Sequence, residues 1–112
     1  MSDTVQCVKN HKKVDFLNNI YQSDITHLLN FNFYLKKFKK NLDKVKITTQ
    51  GEFLTNMGIF ERAELVSKNL SFNKKSDLYY RIQRLVDGKQ MGKLFKVMFA
   101  TNKKNKFSMG FK

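Results

Sequence analysis

The chain contains no proline and a single cysteine, Cys7, among its 112 residues. Without proline, the boundaries between elements must be read from glycine and charge alone. One cysteine excludes an internal disulfide and a cysteine-based zinc cluster, and it suits a reducing, cytoplasmic setting. No uninterrupted apolar run is longer than residues 97–100, far short of a membrane-spanning helix, so no membrane partner is expected. The opening Met1-Ser2-Asp3-Thr4 lacks the basic-then-apolar pattern of an export signal. Acidic residues are also few, 9 against 22 basic, for a net charge of +13.

That charge would ordinarily point to nucleic acid or an anionic surface. Its make-up argues otherwise. Only Arg62, Arg81 and Arg84 are arginine, and the rest of the basic residues are lysine. Arginine is the residue expected at bidentate phosphate or guanine contacts. Lysine, asparagine and phenylalanine, the last two present 11 times each, all have A/T-rich codons. A compositional bias of the genome accounts for the mixture without a selected anionic partner. The alternative is a small nucleic-acid-binding protein that tracks phosphates with Lys36–Lys40 and the lysines of residues 103–106. Phe and Met fall at helical spacing, as core residues do, and not on one exposed sheet face as a base-stacking platform requires. At 41% hydrophobic and 13% aromatic the chain is too apolar to be disordered, yet its length allows one domain at most, with a thin core.

Periodicity places the elements. Residues 1–22 read as irregular or extended, with Val5 and Cys7 fitting a short strand or an arm on a larger body. Asp24 reads as a helix N-cap. Leu28, Phe31, Leu35, Phe38 and Leu42 then recur at spacings of three and four, with helix expected in earnest from Phe31. Residues 45–49 alternate apolar and polar with β-branched side chains, a strand. A helix opens near Gln50 and ends at Gly58 as a C′ residue. A second, from about Phe60 to Asn69, packs Phe60, Ala63, Val66 and Leu70. A third, capped by Ser76 or Asp77, turns Leu78, Ile82, Leu85 and Val86 inward and is closed by Gly88. Gly88 to Gly92 reads as a loop, and residues 94–101 as a strand suited to a sheet edge, since Lys96 interrupts one face. Residues 102–112 form a basic tail expected to be disordered.

Several strings carry more than periodicity. Asp3-Thr4-Val5-Gln6 with His11, Asp24-Ile25-Thr26 with Phe31, Thr49-Gln50-Gly51, Phe53-Leu54, Gly58-Ile59, Arg62-Ala63, Met91-Gly92 and Leu94-Phe95-Lys96-Val97 follow one another in order. Together they resemble the last third of a family of class I S-adenosylmethionine-dependent methyltransferases, the family that includes the mitochondrial complex I assembly arginine methyltransferase. The resemblance spans residues 3 to about 101. It implies an α/β fragment, mostly helical, with three to four helices and two to three strands: the C-terminal portion of a Rossmann-like fold over residues 1–101. The strands at 45–49 and 94–101 would be neighbours, one placed antiparallel, across a three-helix excursion.

What the resemblance implies about chemistry is mostly an absence. The family needs a glycine-rich loop for the methionine end of the donor and an acidic residue for its ribose. Here the glycines are Gly51, Gly58, Gly88, Gly92 and Gly110, and no two are spaced as G-x-G. The chain alone is therefore expected to bind no S-adenosylmethionine, the cofactor of the intact family, and to be inactive by itself. It reads as a split or truncated methyltransferase portion with a structural and substrate-side role. Either it docks on a separately encoded N-terminal half, or it survives as a degraded remnant without function. The substrate implied for the intact family is a protein arginine.

His11, Asp24 and Thr26 are the substrate-side candidates. Each has a plainer reading: His11 as a solvent-facing residue among Asn10, Lys12 and Lys13, and Asp24 as a cap. Where related sequences carry a histidine and a second aspartate, this one has Leu28 and Asn30, so polar contacts there are changed or lost. His27 has no counterpart in the family and reads as a surface residue. Glu61 and Glu64, three apart on a helix, form a solvated face. Cys7 has no neighbouring base to activate it. Two histidines without a carboxylate pair at ligand spacing give no metal site, and no catalytic residue is assigned.

Overall fold

A computed structural model describes residues 5–15, 17–19, 21–102, 104–106 and 109–111. Asp3 and Thr4 of the resemblance, and Lys103 and Lys112 of the tail, lie outside the described residues. The described chain divides into two compact units, residues 1–33 and 34–112.

The first unit is a three-stranded antiparallel sheet in the order β2-β1-β3, made of β1 (Val5–Lys9), β2 (Lys12–Lys13) and β3 (Asp24–His27). Residues 1–22, expected to be irregular or extended, hold β1 where a short strand was expected and also β2, while β3 lies just beyond them. Asn10 and His11 both take positive φ, 51° and 61°, the geometry of a two-residue hairpin turn whose twist matches its strands. Asp24 caps no helix. It pairs with Val8 in β3, where the β-branched Ile25 and Thr26 lie opposite Cys7 and Gln6. Helix α1 (Phe31–Asn41) starts only after Asn30, whose side chain accepts a hydrogen bond from the Phe33 N–H. Cys7 is buried, its Sγ 2.7 Å from the Ser23 hydroxyl.

In the second unit, β4 (Lys44–Thr49) and β5 (Lys96–Thr101) pair antiparallel from Lys44↔Thr101 to Thr49↔Lys96. Between them run α2 (Gln50–Asn56), α3 (Ile59–Ser67), α4 (Phe72–Val86) and the single turn α5 (Met91–Leu94). The expected neighbouring strands are present, and the excursion between them holds four helical segments. Thr49 caps α2, its hydroxyl accepting from the Glu52 N–H. Gly58 follows the C-cap Met57 at φ +83°, the left-handed C′ position expected for it, and also leads into α3. Gly58→Ala should therefore cost about 1–2 kcal/mol, the penalty of a Cβ in left-handed backbone. Urea unfolding of the two proteins checks this, and an unchanged midpoint would remove the conformational argument.

Three local readings are corrected. The stripe that α3 buries is Ala63 and Ser67, while Val66 is half exposed at 52%. Helix α4 begins at Phe72 behind Ser71, so Ser76 and Asp77 lie inside it, and Asp77 pairs with Arg81 one turn on. Its end does not use Gly88. Asp87 leaves the helix in extended backbone, its carboxylate accepts the Lys89 N–H, and its carbonyl accepts from Gln90 and Gly92. The core is small: Ala63, Ile82 and Phe111 are the buried apolar side chains among the described residues of this unit. Leu65, Phe72 and Leu94 stay largely exposed.

Residues 109–111 do not behave as a loose tail. Phe111 is only 7% exposed, its ring 5.4 Å from that of Phe53 and 5.5 Å from that of Phe99. This apolar anchor outweighs the basic composition of the segment, which governs only residues that touch water.

Candidate functional site

The two glycine strings at 49–51 and 91–92, far apart in sequence, meet at the C-terminal end of α4. Gly51 and Gly92 are both buried. A Cβ on either would collide with the Val86 carbonyl oxygen, and one on Gly92 would also lie 2.8 Å from the Asp87 oxygen. The backbones of α2, α4 and α5 thus approach as closely as glycine allows. Gln50 ties the junction twice: its N–H donates to the Phe95 carbonyl and its side-chain amide to the Leu85 carbonyl, each at 2.9 Å. The stretch read as a loop from Gly88 to Gly92 is in fact a turn running into α5, held by Gly92 N–H to Asp87 O at 2.9 Å.

Beside this junction lies an open cleft of about 510 Å³, lined among others by Thr49, Glu52, Thr55, Asn56, Gly88 and Lys93. The Thr48 hydroxyl donates to the Glu52 carboxylate, which holds the acid at the rim. The cleft offers one carboxylate, one ammonium, two hydroxyls and an amide, groups that bind a polar ligand by hydrogen bonds and charge pairing. No group of three or more potential metal ligands occurs among the described residues. Gly51, Val86 and Gly92 also line this cleft, while the direction a Cβ would take from either glycine is filled by the chain's own Val86 backbone.

The three sequence candidates lie elsewhere, in the sheet of the first unit. Asp24 and Thr26 are exposed and, two apart on β3, share one face. His11 sits in the β1–β2 turn, at the same end of that sheet as Asp24, since Asp24 pairs with Val8 just before the turn. A shallow polar cleft of about 420 Å³ at that end is lined by Lys9, Tyr21, Gln22 and Asp24, among others. The positive φ of His11 gives it a structural duty in the hairpin as well. Sequence reasoning did not single out Gln50, which ties the junction, or Glu52 and Asn56, which line the cleft. The Thr49-x-x-Glu52 spacing, a capping signature, was the available signal for the first turn of α2.

Comparison with known proteins gives these strings a lineage. No family model matches the sequence. The mitochondrial protein arginine methyltransferase NDUFAF7 of Xenopus tropicalis is 32% identical to it over 96 residues, 85% of this chain. Over these residues the chain belongs to the NDUFAF7 methyltransferase family. It spans 22% of the length of that relative. Two crystal structures from Burkholderia thailandensis share the fold. One is of an uncharacterized superfamily protein, with TM-score 0.75 and 22% identity, covering 97% of this chain and 29% of that one. The other, a superfamily member bound to S-adenosyl-homocysteine, has TM-score 0.75 and 21% identity, covering 97% and 28%. The fold of this family member is thus a partial Rossmann-like α/β arrangement, as the resemblance implied.

Proposed function

We propose that these residues form the C-terminal, substrate-side portion of an S-adenosylmethionine-dependent protein arginine methyltransferase. The donor is held by residues outside these 112, on the same or another polypeptide. The β4–β5 pair extends the catalytic sheet, and the helices between the strands cover its flank. His11, Asp24 and Thr26 face the protein substrate, where Asp24 supplies a carboxylate suited to orienting a guanidinium.

The observation that carries this reading is the fate of the glycines. Gly51 and Gly92 let the backbones of α2 and α5 approach Val86, and no two glycines of the sequence are spaced as the G-x-G of a donor loop, which supports a donor site outside these residues. The S-adenosyl-homocysteine in the Burkholderia structure supports donor use by the wider fold, and this chain covers 28% of that protein. The large exposed side chains Leu65, Phe72 and Leu94 support a further protein surface as their cover.

The test is calorimetric. Titrating S-adenosylmethionine into the chain alone should give no saturable heat, and binding should appear once the donor-binding portion of a family member is supplied. Micromolar binding by the 112 residues alone would overturn the division of labour.

A further inference from the structure

The contacts of residues 110 and 111 are those of a ligand in a receptor. The ring of Phe111 lies between Phe53 of α2 and Phe99 of β5. Lys46 of β4, directly opposite Phe99 in the sheet register, donates its ammonium to the Phe111 carbonyl at 3.0 Å. The Asn56 side-chain amide donates to the Gly110 carbonyl at 3.2 Å. Two donors from two different elements thus read two consecutive main-chain carbonyls, and an aromatic slot reads the side chain between them. The residue before the phenylalanine is restricted as well. Gly110 has φ +82°, and a Cβ there would sit 2.5 Å from the Phe53 ring. Apolar shape, carbonyl direction and the demand for glycine together define a sequence preference. It resembles the way other grooves take extended peptides, by main-chain hydrogen bonds for affinity and a pocket for specificity.

We propose that Lys46, Phe53, Asn56 and Phe99 form a recognition groove for a Gly-Phe peptide segment. The groove is filled in cis by this chain's own Gly110-Phe111 and is able to take the same segment from a second copy of the chain. The inference stands apart from the methyltransferase reading, because every group in it belongs to these residues. Tethering raises the effective concentration of the resident segment, so a competitor acts only in excess or once the resident is disabled.

The experiment uses the full chain and a labelled peptide of the sequence Lys-Phe-Ser-Met-Gly-Phe-Lys, that of residues 106–112. Phe111→Ala should bind the peptide at least about tenfold more tightly than the unaltered chain, the advantage of removing a tethered competitor. Alanine at the peptide's Gly or Phe should abolish binding, and Lys46→Met in the Phe111→Ala background should weaken it several-fold. A dye on Met109→Cys reads the same event without emptying the groove, since Cys7 is buried. Excess peptide should lower that dye's anisotropy as the resident segment leaves, whereas the Gly→Ala peptide should not. A folded Phe111→Ala chain that ignores the peptide would overturn the proposal, as would binding indifferent to the two peptide substitutions. If Phe111→Ala fails to fold, the dye measurement alone decides, and an unchanged anisotropy at millimolar peptide would overturn it equally.

Discussion

Gly92→Ala should lower the stability of the chain by about 3 kcal/mol, the upper end of what overpacking costs. The reason is the nature of the obstacle. The added methyl meets the Val86 carbonyl group and the Asp87 oxygen, all of them backbone atoms at the end of a 15-residue helix. A side chain in the way can rotate; a peptide group that also anchors Gln90 and Gly92 cannot yield without dismantling the turn. Domains of this size are stable by only about 5–15 kcal/mol, so the loss should be plain in a urea titration. Gly88→Ala is the control. Nothing lies within 4 Å of its Cβ position, so the change should be neutral or stabilising by up to about 1 kcal/mol through the unfolded chain. Equal losses at the two positions would show that the approach to Val86 is not what makes Gly92 necessary.

Ile82→Ala should be nearly as damaging, at about 2–4 kcal/mol, because truncating a buried branched side chain leaves a cavity as well as losing transfer energy. Ile82 is 7% exposed and is the buried residue of α4. With so few apolar side chains sequestered, little neighbouring core exists to collapse into the space. Leu65→Ala removes the same kind of side chain from α3, where it is 66% exposed, and should stay within about 0.5 kcal/mol. Chemical denaturation of the pair reads the contrast directly. A large loss at Leu65 would mean that its face is covered in solution, by self-association or otherwise.

Much of the second unit was legible in the letters because its signals are local. The alternation at 45–49, the glycine needing left-handed backbone at 58 and the apolar spacing of α4 are each set by neighbours within a turn or two. The misreadings share the opposite cause. Asp24 looks like a cap, yet Ile25 and Thr26 find a partner strand some twenty residues earlier, and pairing decides. Val66 has the spacing of a core residue, but α3, which packs against α4, buries its small residues Ala63 and Ser67 instead. Phe111 sits among lysines and is placed by rings from α2 and β5. At the candidate site, the glycine strings could be found by resemblance, while the convergence of both on one carbonyl depends on the path of α4 between them.

The β4–β5 pairing has a consequence for how the chain reaches this state. The rung Thr49↔Lys96 closes a loop that contains every helix from α2 to α5. Non-local strand pairs repay their closure entropy only late, so the helices must condense before the ribbon can zip. In that interval both strands offer unsatisfied amides to any passing chain. Newly synthesised polypeptide is therefore most vulnerable to tangling in the time between making α2 and completing β5, and a chaperone acting there would raise the yield of correctly assembled molecules.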